Sequence, residues 1–232
     1  MSAQLRIEDL RAWYGAAQVL HGLNLVIDEG EAVALVGRNG SGRSTLAKAI
    51  MGLVRCEGEM RYRDVRLVGL RPYRIARLGI GYVPETRDVF PKLSVRENLL
   101  LGERKGTRFT LNEAYRLFPV LEERASVKAG ALSGGEQQML ALARTLAGDP
   151  SLVVIDEPGE GLAPQVLAQV AACLAMLRER GVAMLLIEER LTIARMLDAR
   201  VAVMGHGAIQ FDGSIAALAQ SEQVKREWLS VG

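Results

Sequence analysis

Four short runs of uninterrupted apolar residues, at 32–36, 152–155, 182–187 and 201–204, punctuate the chain, each rich in Val, Ile, Leu and Ala. A strand with one wet face alternates polar and apolar residues. A run with no polar face predicts a strand covered on both sides, as in a parallel sheet. Between these runs apolar residues recur at helical spacing: at 44–53, at 164–180 with Pro164 in the first turn and Gly181 beyond the end, and at 191–197. Residues 5–13 and 19–27 alternate instead, and with the turn residues Tyr14-Gly15 they predict an antiparallel hairpin ahead of the first run. From about residue 88 to 148 the pattern is mostly helical, at 95–101, 111–118 and 134–147, and reads as an inserted helical subdomain. A hairpin over 202–212, centred on Gly205-His206-Gly207, and two short helices finish the chain. Strands alternating with helices predict an α/β fold with ligands at the carboxyl ends of the strands, its core at 1–87 and 149–232.

Length and charge narrow the classes. At 232 residues the chain suits one large α/β unit, and a net charge of +2 with 5% aromatic residues predicts neither a nucleic-acid footprint nor a base-stacking surface. Residues 1–9 are polar and charged, with no apolar segment of a signal peptide, and no stretch of about 18 apolar residues occurs, so a cytosolic chain that does not span the membrane is expected. Cys56 and Cys173 lack metal-ligand spacing and read as reduced thiols; His21 and His206 are assigned no chemistry. Of 29 Lys and Arg residues only Lys48, Lys92, Lys105, Lys128 and Lys225 are lysines.

Directly after the first apolar run comes Gly37-Arg38-Asn39-Gly40-Ser41-Gly42-Arg43-Ser44-Thr45. It fits the phosphate-loop template G-x-x-x-x-G-K-[ST] in every place but one, because position 43 is Arg. Glycines at 37, 40 and 42 let the backbone turn its N–H groups onto an anion, and the following helix start adds unpaired donors. Ser44 is placed to offer its hydroxyl to Mg²⁺. An aromatic at the end of the first hairpin strand, Trp13 or Tyr14, offers a π face to an adenine, or else packs at a sheet edge.

The run Leu152-Val153-Val154-Ile155-Asp156-Glu157-Pro158 delivers two carboxylates at a buried strand end, where an unpaired carboxylate is costly. In a Mg–nucleotide site Asp156 would hold the metal and Glu157 would orient or deprotonate the attacking water. Leu132-Ser133-Gly134-Gly135-Glu136-Gln137-Gln138 opens an apolar helix, and the Ser133 hydroxyl with the Gly134 and Gly135 amides can meet another phosphate.

This last run is similar to the signature sequence of the ABC ATPases. Phosphate loop, LSGGEQQ and IDEP occur in that family's order and spacing, so the resemblance covers essentially the whole chain. It implies a P-loop NTPase of the ABC nucleotide-binding type with an antiparallel N-terminal β-subdomain and the inserted helical subdomain, binding ATP and Mg²⁺. It also implies that Ser133 to Glu136 reach the ATP of a second subunit, so that two domains close head to tail around two nucleotides. Tyr82-Val83-Pro84-Glu85-Thr86-Arg87-Asp88-Val89-Phe90-Pro91, Asp156-Glu157-Pro158-Gly159-Glu160-Gly161-Leu162-Ala163-Pro164 and Leu185-Leu186-Ile187-Glu188-Glu189-Arg190 further resemble LivF-type subunits of branched-chain amino acid importers, with urea-importer subunits as neighbours. That resemblance implies an import ATPase pairing with a LivG-type ATPase or with itself. It would lie at the cytoplasmic face of the inner membrane under two permeases, fed by an extracytoplasmic solute-binding protein, with no nucleic acid. By the same match Tyr14 is the adenine-stacking aromatic.

The departures from the family pattern bear on catalysis. Arg43 replaces a compact ammonium by a broad, forked guanidinium. The Arg-rich composition suggests drift as its origin. Glu85 stands where most of the family has a Gln at Mg²⁺ and water, a change a metal tolerates. Glu189 stands at the switch His, replacing a donor by an acceptor, and Gly159 replaces a Ser. These departures raise an alternative expectation, a weakly hydrolysing or regulatory subunit whose competent site lies on the partner. A soluble ABC protein acting on DNA or ribosomes is disfavoured by the short single domain and weak net charge.

Overall fold

The computed structural model describes residues 3–229; the outermost residues of the expected 1–232 span lie outside the described residues. Strands β1 (Ala3–Tyr14) and β2 (Ala17–Asp28) form the expected antiparallel hairpin. They are joined by β4 (Arg55–Tyr62) and the short β5 (Val65–Arg66) in a four-stranded sheet ordered β2-β1-β4-β5. Leu5 and Ile7 of β1 are buried, and then the parity slips to Leu10 and Ala12. The slip is a bulge at Asp9, which adopts a left-handed φ of 47° where the ladders to both neighbours break register. Gly58 on β4 faces this bulge with φ 110°, so close that a Cβ there would run into the Asp9 carbonyl oxygen.

The second sheet holds β3 (Ala32–Gly37), β6 (Ile80–Val83), β7 (Leu152–Asp156), β8 (Ala183–Glu188), β9 (Arg200–Gly205) and β10 (Ala208–Gly213), in the order β10-β9-β3-β8-β7-β6. All its neighbours run parallel except β10, which returns antiparallel from β9. Both faces are covered, which explains the unbroken apolar runs. Ala32, Ala34, Val153, Ile155, Met184 and Leu186 face one side, against α6 (Gly134–Leu146) and α7 (Pro164–Glu179). Val33, Leu35, Leu152, Val154, Leu185 and Ile187 face the other, against the antiparallel sheet and α1 (Arg43–Ile50).

Helix α1 stops at Ile50 rather than at 53, because Gly52 takes a left-handed φ of 67° just past its end. Between β4 and α6 lie α2 (Pro72–Arg77), α3 (Val95–Gly102), α4 (Leu111–Leu117), α5 (Pro119–Glu123) and a 3₁₀ turn at Ala129–Ala131. After α7 come α8 (Thr192–Met196), α9 (Ile215–Gln220) and α10 (Glu222–Trp228). Among the described residues no helix is long and apolar enough to cross a membrane.

Candidate phosphate site at the strand ends

Strand β3 is buried along its whole length and releases the chain at Gly37. A Cβ at Gly37 would strike the carbonyl oxygen of Met204 on β9, and one at Gly42 would lie 3.0 Å from the Met204 methyl and from Leu20 Cδ2. Gly42 caps α1 at φ 106°, a conformation that disfavours any side chain. The Ser41 carbonyl accepts from the Gly207 amide at 3.0 Å, so the β9–β10 hairpin braces the loop from beneath. Among the described residues no side chain caps α1, and no acidic residue occupies its first turn, which leaves its first amides without a side-chain acceptor there. Ser41 Oγ is buried with no partner among the described residues. An orphaned hydroxyl beside free amides fits a phosphate oxygen.

The strand ends β7 and β8 bring the carboxylates to this loop. Ser44 Oγ lies 3.3 Å from Asp156 Oδ1, linking residues 112 positions apart. Asp156 is 2% exposed, and burial pushes its carboxyl up; the Ser44 hydroxyl pulls it down and the neighbouring Glu85 charge pushes it up again. A cation between Ser44, Glu85 and Asp156 would relieve both burial and repulsion, so this donor set fits a hard metal such as Mg²⁺.

Glu157 follows with a left-handed φ of 49°. Burial raises its carboxyl, against the Glu189 amide, which donates to Oε2 at 3.1 Å, and against Arg43, whose Nη1 is 3.1 Å from Oε1. Arg43 is 7% exposed; its Nη2 donates to Asn39 Oδ1 at 2.9 Å, and its Nη1 also donates to the Glu188 carbonyl. The Glu189 backbone thus touches Glu157, while its exposed carboxylate has no hydrogen bond or ion pair among the described residues. Thr45 is buried in α1. At the hairpin end Arg55 stacks over Trp13 at 5.2 Å, which leaves the 46% exposed Tyr14 as the open aromatic face.

Ser133, Gly134, Gly135 and Glu136 are elsewhere. Ser133 caps α6 in a reciprocal box: its Oγ accepts from the Glu136 amide at 3.3 Å, and its own amide donates to Glu136 Oε2 at 2.8 Å. Burial raises the Glu136 carboxyl, but the two Ser133 hydrogen bonds and Arg124 outweigh it and hold the group below its ordinary value. Among the described residues this cap shares no hydrogen bond or ion pair with the loop. No motif singles out Glu188, which is 3% exposed and accepts from the Ile193 and Ala194 amides at 3.1 and 3.0 Å. Its signal was there: an acid closing an apolar run, as at Asp156.

The sequence model of the ABC transporter family matches residues 20–160. The chain is 37% identical over 230 residues to the high-affinity branched-chain amino acid transport ATP-binding protein BraG of Pseudomonas aeruginosa, covering 97% of this chain and 99% of that one. It is 31% identical to a probable branched-chain amino acid transport ATP-binding protein, LivF, of Archaeoglobus fulgidus, with 96% and 97% covered. Among solved structures it is similar to a nucleotide-free ATP-binding cassette from an ABC transporter (TM-score 0.82, 26% identity, 96% and 97% covered). It is also similar to a dimeric post-hydrolysis cassette bound to ADP and Pi (TM-score 0.80, 25% identity, 91% and 98% covered).

Proposed function

We propose that this chain, which belongs to the ABC transporter family and is an ATP-binding subunit with ATPase activity, energises the import of branched-chain amino acids. The observation that carries the nucleotide chemistry is the Ser44–Asp156 contact beside the orphaned Ser41 hydroxyl. The solute follows from the full-length similarity to BraG.

In this reading the amides of residues 37–45, with the Asn39, Ser41 and Arg43 side chains, hold the phosphates, and Tyr14 stacks on the adenine. Ser44, Glu85 and Asp156 would hold Mg²⁺, which when bound neutralises charge on the phosphates. Glu157 orients and deprotonates the attacking water, with Glu85 and Glu189 flanking it. Because Ser133 to Glu136 stand apart from the chain's own loop, they complete the site of a second ATPase, a LivG-type chain or another copy. The domain boundaries read from the sequence, a helical subdomain at 88–148 on a core of 1–87 and 149–232, belong to the same proposal.

Two permeases are the further partners, docked at the cytoplasmic face of the inner membrane and served by an extracytoplasmic solute-binding protein. A groove of about 600 Å³ lined by Tyr82, Phe90, Leu101, Arg104 and Arg144 supports this. Phe90 and Leu101 are 49% and 59% exposed, and Arg144 Nη1 is buried with no hydrogen-bond partner among the described residues. Vesicles carrying the chain with its partner ATPase, both permeases and the binding protein test the reading. ATP-dependent uptake of leucine, isoleucine and valine is expected, and uptake of urea alone would refute the solute. Glu157→Gln is expected to lower ATP turnover by about 10²- to 10⁴-fold while ATP is still bound.

A further inference from the structure

At position 43 the phosphate-loop template has a lysine, and an Arg-rich composition invites drift as the explanation for Arg43. Its contacts argue otherwise. The guanidinium touches three groups on three separate pieces of chain: the Asn39 side chain in the loop, the Glu188 carbonyl at the end of β8, and the Glu157 carboxylate just past β7. A guanidinium has five N–H donors in a fixed plane. The hydrogen bonds use one N–H on Nη1 and one on Nη2, and Nη1 also forms the ion pair with Glu157 Oε1, so the guanidinium keeps further N–H donors for an anion. A lysine offers three donors on one nitrogen atom and cannot span the same points.

Glu157 needs such a hold. It sits at a left-handed φ of 49°, and the Glu189 amide and Arg43 are its only side-chain partners among the described residues. We propose that Arg43 is a positioning residue, whose guanidinium ties Glu157 to the phosphate loop and to β8, so that lysine is not its equivalent in this chain. The proposal rests on the ATPase reading above and deepens it: the guanidinium that this reading gives to the phosphates also sets where the Glu157 carboxylate stands relative to them.

The test uses the full chain assembled with its partner ATPase, in three forms: wild type, Arg43→Lys and Arg43→Ala. ADP binding and steady-state kcat and KM for Mg–ATP are measured for each, and Arg43→Ala is also assayed with added guanidinium or methylammonium. Arg43→Lys is expected to keep ADP affinity and KM within about threefold while kcat falls at least about tenfold, since a misplacement of about 1 Å at the reacting group costs on the order of 10²-fold. Guanidinium is expected to restore part of the kcat of Arg43→Ala, and methylammonium is not. Arg43→Lys at or above the wild-type kcat would establish drift and overturn the proposal; so would equal rescue by both cations, or a wild-type pair that binds ATP without turning it over. Failure of every form, wild type included, to bind nucleotide would instead remove the ATPase reading and this proposal with it.

Discussion

Glu188 shows how a single side chain can tie stability to acidity. Burial in the sheet pushes its carboxyl up to about 7, with the Glu157 charge adding to the rise and the amides of Ala194 and Ile193 opposing it. A carboxyl raised in the folded state binds a proton there that the unfolded chain has already released. Its favourable contribution is therefore complete below the ordinary carboxyl value of 4.5 and is lost as pH climbs through about 7. Glu188→Gln cannot titrate and keeps one oxygen for the helix amides. Thermal melts between about pH 5 and pH 8 are expected to show the wild type losing ground to Glu188→Gln as pH rises, and parallel curves would contradict this. The same burial acts on Asp156 and Glu157, and all three acids close strand ends or follow them directly.

At the scale of elements, what was legible in the sequence is what burial writes plainly. The runs at 32–36, 152–155, 182–187 and 201–204 became β3, β7, β8 and β9 because each lies between two apolar layers and tolerates no polar residue on either face. Strand β4 was missed because Arg-Cys-Glu-Gly-Glu-Met-Arg-Tyr keeps one wet face whose charges pair along and across the sheet, as Arg61 and Arg66 do with Glu59. Strand β6 is only four residues long, too short for a period to declare itself. The β1 bulge was hidden too, since a parity slip between Ile7 and Leu10 looks like imperfect alternation. Gly58 is the mark it leaves on the neighbouring strand. Gly58→Ala combines a left-handed φ with a collision at the Asp9 backbone, and a loss of about 1–3 kcal/mol in denaturant unfolding is expected. An unchanged midpoint would mean that the bulge relaxes freely. Of the candidate site, the glycines, Ser44 and the carboxylates could be read from motif spacing. The partners of Arg43 could not, because they are set by how the ends of β7 and β8 meet the loop.

For the whole molecule, the separation between the α6 cap and the phosphate loop matters most. A group that serves only a neighbouring subunit can be damaged without harming the chain that carries it. Ser133→Arg is expected to lower ATP turnover of the assembled pair by about 10²-fold while ADP affinity of the isolated chain stays within about twofold. A matching loss of affinity in the isolated chain would place Ser133 in its own site. The loop, in contrast, depends on distant residues of the same chain. Met204 and Gly207 brace Gly37, Ser41 and Gly42 from more than 160 positions downstream. A fragment of residues 20–160, which contains the phosphate loop, the signature run and the acids Asp156 and Glu157, is expected to hold no nucleotide in equilibrium dialysis; retention would show that the brace is dispensable. During synthesis the nascent polypeptide therefore emerges with its phosphate motif early and acquires a working cradle only after residues 204–207 have been made, more than 160 positions later.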